Sequence, residues 1–246
     1  MPKYVDIMQA REEEIAKLIE FLSKKSNSFE KPKLILIGGY ALRAFIPFTR
    51  STRDCDFAIQ KKNGWHLDEI RNWFEKDVVI EAFEKKDESG FMRCIKLIKV
   101  GRRFVRASLD FMEGEVTGRS EEDRVRIDDT FMANSKRIKI KVADKEFEVN
   151  VPGYADYFIL KVVSARPSDV RDIATMAWKK GIPKGIKKRV REMMPYQEVF
   201  REKIKKSILP VISDKRFLHS WRGTFATTEF DEEARSTVID KLNKLA

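Results

Sequence analysis

Residues 34 to 59 constrain this chain more than any other stretch. Leu34-Ile-Leu-Ile37 is a short, continuous apolar run, the pattern of a strand covered on both faces. Gly38 and Gly39 end it. Tyr40 to Phe45 has the spacing of a short helix, and Pro47 stops that helix. Asp54-Cys-Asp-Phe-Ala-Ile59 then reads as a second strand. A glycine pair turns sharply and lets backbone N–H groups approach a ligand. The helix N-terminus beside it suits an anion such as phosphate. The same pair serves equally well as a plain tight turn. In the second strand, Asp54 and Asp56 project from one face while Cys55 and Phe57 project from the other. Two adjacent carboxylates repel unless a cation lies between them. Mg²⁺, which takes oxygen ligands and often shares them with phosphates, is the natural partner. The competing reading is two solvated aspartates, each held by a neighbour such as Arg50 or Arg53.

The rest of the chain limits the setting. Its 246 residues suffice for one large or two small domains. No stretch approaches the length of a membrane span, and the start lacks the apolar core of a signal peptide, so the expectation is a cytoplasmic protein with no membrane partner. Cys55 and Cys94 fall on expected strands and read as small buried side chains in a reducing compartment. His66 and His219 lack companions at ligand spacing, which argues against zinc. With 50 Lys and Arg against 39 Asp and Glu, the net charge of +11 favours an acidic partner such as nucleic acid.

Taken in order, residues 5 to 25 read as an amphipathic helix with Ile15, Leu18, Ile19 and Leu22 on its apolar side. His66 to Glu75 is a second, burying Leu67, Ile70, Trp73 and Phe74, with Trp65 also assigned to the core. Strands are expected over 78–83 and 91–100, joined by a turn at Asp87 to Gly90, and Gly101 leads into a third ending at Asp110. Phe104, Arg106, Ser108 and Asp110 share a face of that strand. Residues 115 to 131 read as polar and charged, with a loop at 117–120, and 137–142 with 146–149 as a β-hairpin. From Pro152 onward the pattern is helical, which divides the chain into 1–150 and 151–246. Tyr154 to Ala165 is apolar on most faces yet contains Lys161, which must snorkel or meet an anion. Ser168, after Pro167, is expected to cap the next helix, on which Asp172 can orient Arg171 or Lys161. Residues 179 to 206 are strongly basic with Tyr196 and Phe200 interleaved. That pattern fits contact with a phosphate backbone and fits equally the solvated faces of helices whose Ile186, Val190, Val199 and Ile204 face a core.

Gly38-Gly39, a short helix, and Arg50-Ser-Thr-Arg-Asp-Cys-Asp56 together resemble the signature of the nucleotidyltransferase superfamily with a polymerase-beta-type palm. The Arg-x-Thr-x-Asp-x-Asp flavour is similar to the AbiEii-type toxins of toxin–antitoxin systems. The resemblance covers residues 30 to 115 firmly and 153 to 178 loosely. It implies an α+β fold: a mixed β-sheet palm with flanking helices, then a C-terminal helical domain. It supplies a third carboxylate on a neighbouring strand, for which Asp110 is the candidate, although Asp110 could instead cap the following turn. It also implies nucleotide contacts at Gly38, Gly39, Thr52, Arg53 and Lys161, with Arg106, Arg171 and Asp172 in support. Arg171-Asp172 matches an Arg-Asp-x-x-Asp element whose last residue is Thr175 here.

What this implies is transfer of a nucleoside monophosphate from an NTP to a hydroxyl acceptor. Asp54, Asp56 and Asp110 would hold two Mg²⁺ ions, with Mn²⁺ able to substitute. The acceptor would be RNA, tRNA ends among them, or a protein side chain, and an antitoxin would be a partner. Two alternatives remain. One is a non-catalytic nucleic-acid-binding module on the same scaffold. The other is a small-molecule modifier of the aminoglycoside type, against which the positive charge argues.

Overall fold

A computed structural model of the chain describes residues 4–48, 50–62, 64, 66–78, 80–86, 90–118 and 120–246. Trp65 and the expected turn at 87–89 lie outside the described residues. The chain divides into two compact units. The first comprises residues 1–44, 51–115 and 127–152; the second comprises 45–50, 116–126 and 153–246.

The first unit is built on a seven-stranded mixed sheet. In sequence order its strands are β1 (Leu34–Ile37), β2 (Asp54–Ile59), β3 (Ala82–Lys86), β4 (Phe91–Val100), β5 (Arg103–Glu113), β8 (Lys136–Val142) and β9 (Lys145–Val151). In space the order is β3-β4-β5-β2-β1-β9-β8. The β2–β5 and β1–β9 pairs are parallel and the other neighbours antiparallel. Helix α1 (Tyr4–Lys25) packs on this sheet, burying Ile15, Leu18, Ile19 and Leu22. Helix α3 (Leu67–Asp77) buries Leu67, Ile70 and Phe74. Its first turn is held by Glu113, whose buried carboxylate accepts the backbone N–H groups of His66 and Leu67. A run of rings, Phe29 on Phe57, Phe57 on Phe111, Phe111 on Phe74 and Phe74 on Phe21, fills this side of the sheet with centroids 5.1 to 6.3 Å apart. Strand alternation sends Asp54, Asp56, Ser108 and Asp110 to the opposite face.

Two stretches depart in detail from the sequence reading. Strand β3 starts at Ala82, because Val78 ends α3 by donating its N–H to the Phe74 carbonyl. The expected polar stretch 115–131 holds two short strands, β6 (Glu115–Thr117) and β7 (Arg124–Arg126), and helix α4 (Asp129–Asn134), whose N-cap is Asp128.

The second unit is mainly helical. Helix α5 (Tyr154–Ser164) is followed by α6 (Pro167–Lys179), with Pro167 in its first turn. The cap of α6 is Arg166 rather than Ser168. Asp169 reaches back to the Arg166 backbone in a capping box, which a proline at the first helical position leaves as the available donor. Helices α7 (Ile186–Met193) and α8 (Gln197–Glu202) follow. A π-helical stretch over Lys203–Ile208 then leads into α9 (Leu209–Ser213) at Pro210, which lacks the N–H that a regular helix would use. Two helices close the unit, α10 (Phe217–Phe225) and α11 (Glu232–Asn243). Trp221, fully buried, packs among Phe48, Trp178, Phe225 and Phe230. No helix among the described residues is long and apolar enough to cross a membrane.

Candidate active site

The four-residue helix α2 (Gly38–Ala41) begins at the glycine pair itself, and a 3-10 turn, Leu42–Ala44, continues it. A dipole from so short a helix is small, so the loop's use to an anion rests on its backbone N–H groups. Gly38 has φ +65°, and a Cβ there would overlap the Asp56 carboxylate. At Gly39 a Cβ would come within 2.8 Å of the Thr52 hydroxyl. The absence of side chains at both positions is therefore what lets Asp56 and Thr52 lie against the loop. The Thr52 hydroxyl donates to the Asp54 carbonyl at 3.2 Å.

Asp56 is directly opposite Asp110 in the parallel β2–β5 ladder, and Asp54 is opposite Ser108. The Ser108 hydroxyl donates to Asp54 at 2.5 Å. The register thus brings Asp54, Asp56, Asp110, Gly38, Gly39 and Thr52 together. Arg106 lies on the same face, exposed, and lowers the Asp110 pKa slightly through space. Arg53 is exposed beside the cluster in sequence.

Across the sheet the row continues. Arg93 on β4 is opposite Asp110, and Glu84 on β3 is opposite Arg93. The Arg93 guanidinium donates to both Asp110 oxygens, at 2.7 and 2.5 Å, and stands 3.6 Å from Glu84. Burial pushes the Asp110 carboxyl above the usual carboxylate range. Arg93 offsets part of this, and repulsion from Asp54 adds to it. Sequence reasoning missed Arg93, yet the signal is there: the tight turn at Gly101-Arg102 pairs Val100 with Arg103, and counting outward places Arg93 on Asp110.

Oxygen ligands on one sheet face are the right chemistry for a hard divalent cation. Among the described residues, however, no three His, Cys, Asp or Glu side chains are arranged to hold a metal ion. Asp54 and Asp56 share that face, Asp54 accepting from Ser108, while Asp110 has both oxygens on a guanidinium.

The remaining sequence candidates are in the second unit. Lys161 is 3% exposed and its ammonium donates to Asp169 and Asp172, both at 2.8 Å. Burial would lower its pKa, but the two carboxylates outweigh burial and raise it. A phosphate would have to displace an aspartate to reach it. Asp172, fully buried, also accepts a two-pronged bond from Arg50, at 2.7 Å to each oxygen. Arg50 is the arginine of the Arg-x-Thr-x-Asp-x-Asp run. Arg171 donates to Ser220 at 2.9 Å. Thr175 donates to the Arg171 carbonyl and accepts the Trp221 indole N–H at 2.8 Å, a part that suits a hydroxyl better than a carboxylate.

The basic run divides in two. Arg189 is buried against Asp156 at 2.5 Å, and Lys203 binds Asp123 at 2.8 Å. Lys187, Arg191, Arg201, Lys205 and Lys206 instead line a groove of about 550 Å³ that also includes Glu198 and Glu202, the latter 3.1 Å from Lys206.

The family described as "Nucleotidyl transferase AbiEii toxin, Type IV TA system" matches residues 20–235. No curated protein matches the sequence. Among solved structures the chain is similar to JHP933 from Helicobacter pylori, at 13% identity and TM-score 0.48, covering 94% of this chain and 92% of that one. It is similar more distantly to the Bradyrhizobium diazoefficiens CD-NTase CdnG in complex with GTP, at 14% identity and TM-score 0.27, covering 89% and 68%.

Proposed function

Because the chain belongs to the AbiEii nucleotidyltransferase toxin family, we propose that it moves a nucleoside monophosphate from an NTP to a hydroxyl acceptor. The observation that carries this reading is the contact of the Asp56 carboxylate with Gly38, beside Asp54 and opposite Asp110. It puts carboxylates where they could hold a cation against a phosphate bound by the glycine loop. Backbone N–H groups of the loop hold the phosphates, with Thr52 and Arg53 at the edge. Asp54 and Asp56 are the ligands for a divalent cation, Mg²⁺ or Mn²⁺; when bound, it would neutralise charge on the phosphates. The acceptor oxygen bonds to the α-phosphorus, the bond to pyrophosphate breaks, and the acceptor proton passes to a base. Asp110, opposite Asp56, takes that proton only when Arg93 has released its oxygens. Lys161 and Arg50 are held by Asp172 within the second unit, so in this reading they are structural and not phosphate ligands.

The basic groove favours RNA over a protein side chain as acceptor, tRNA ends included. A toxin role with an antitoxin partner follows from the family's description. The experiment is incubation with each α-labelled NTP, Mg²⁺ or Mn²⁺, and total RNA. Label on RNA is expected with at least one NTP. Salt-sensitive RNA binding with no transfer from any NTP, to RNA or to protein, would overturn the reading in favour of a binding module.

A further inference from the structure

The row Glu84–Arg93–Asp110–Asp56 crosses four strands on one face, alternating acid, base, acid, acid. Each member is fixed by ladder register, so the order is a property of the backbone. Asp110 is 3% exposed and gives both oxygens to Arg93. Arg93 has a second carboxylate within reach, Glu84, which is more than half exposed and 3.6 Å away. A guanidinium cannot lose its proton at any ordinary pH, so only movement can uncover Asp110.

We infer that Arg93 is a resident counter-cation that keeps Asp110 closed to a divalent ion, with Glu84 as the carboxylate that receives it when Asp110 is uncovered. At rest the cluster therefore takes one ion, at Asp54 and Asp56, and a second enters only by displacing Arg93. This rests on the nucleotidyltransferase reading of the three aspartates. Arg93 is a positioning residue in this scheme, since it acts through Asp110.

The test is Mn²⁺ titration of the full chain without nucleotide, followed by electron paramagnetic resonance. The wild-type chain should take up one ion distinctly more tightly than a second. Arg93→Gln should strengthen the second ion roughly tenfold or more, the size of one close charge's effect on a carboxylate. Arg93→Lys, which keeps the charge but loses the two-pronged bond, should fall between. Asp110→Asn added to Arg93→Gln should abolish the second ion. Two ions of equal affinity in both wild type and Arg93→Gln would overturn this inference and leave the transfer reading standing. No Mn²⁺ uptake by either protein would overturn both. A thermal midpoint for Arg93→Gln checks that the fold is intact. Should it fall steeply, the Arg93→Lys titration decides alone, and a second ion no tighter than in wild type overturns the inference.

Discussion

The two units each carry a tight cluster of aspartates with basic partners, and the clusters behave in opposite ways. In the second unit, Asp169 and Asp172 meet Lys161, Arg50 and Arg166. Acids are outnumbered there, and their contacts with these three side chains are 2.7 to 2.9 Å. Burial pushes Asp169 up, but Lys161 and Arg166 outweigh it and hold it well below the usual carboxylate range. In the first unit, Asp54, Asp56 and Asp110 face Arg93, and Asp110 is pushed up. The same residue types thus give a cation-rich cluster in one place and an acid-rich cluster in the other. A satisfied buried cluster fixes structure. An acid-rich cluster beside a glycine loop invites a ligand that brings positive charge.

Breaking the satisfied cluster should have the largest effect. Lys161→Met leaves two buried aspartates with one fewer cation and should cost about 3–5 kcal/mol of stability, read by denaturant unfolding. If the midpoint barely moves and only nucleotide affinity falls, Lys161 is a ligand-binding residue and the contrast fails. Gly38→Ala should come next. It forces a left-handed backbone on alanine and pushes on Asp56, at a cost of about 1–3 kcal/mol and with a larger loss of transfer.

Acid should separate the clusters by sign. Asp169 is depressed below 3.8 in the fold, so its pairing stabilises above that value and is lost as pH falls through it towards the folded pKa. Lys161 is raised above 10.5, so its share is present below that value and lost as pH rises through the folded pKa. Asp110 is raised, so its contribution declines with rising pH from 3.8 to its folded value. Unfolding followed from pH 7 down to pH 2 should show the second unit weakening first, visible in the fluorescence of Trp178 and Trp221. The smallest effect on stability belongs to the groove: Arg201→Glu with Lys205→Glu should change it by less than about 0.5 kcal/mol each. RNA retention should nonetheless weaken and its salt dependence should flatten, by a slope of about one per lost contact.

Much of this could be read from residue order, because period-two alternation and glycine placement are local. Leu34–Ile37, the glycine pair and Asp54–Ile59 needed only their own pattern, and the face shared by Arg106, Ser108 and Asp110 followed from spacing. Long-range partners were not legible. Arg50 could be assigned to Asp54 or Asp56 from sequence, since nothing local tells it that Asp172, 122 residues away, is its acceptor. Lys161 announced itself as a cation in an apolar helix, but whether it met a phosphate or a carboxylate depended on how α6 packs on α5. The helix start at Arg166 was hidden by the stronger cap preference of Ser168, which Pro167 overrides.

The account is tested most directly by measuring transfer rate and thermal midpoint together for Asp56→Asn. An isosteric amide beside Gly38 removes charge and leaves shape. Transfer should fall by about two to three orders of magnitude while the midpoint stays within about 2 °C of the wild type. Transfer at the wild-type rate in a folded Asp56→Asn chain would contradict it.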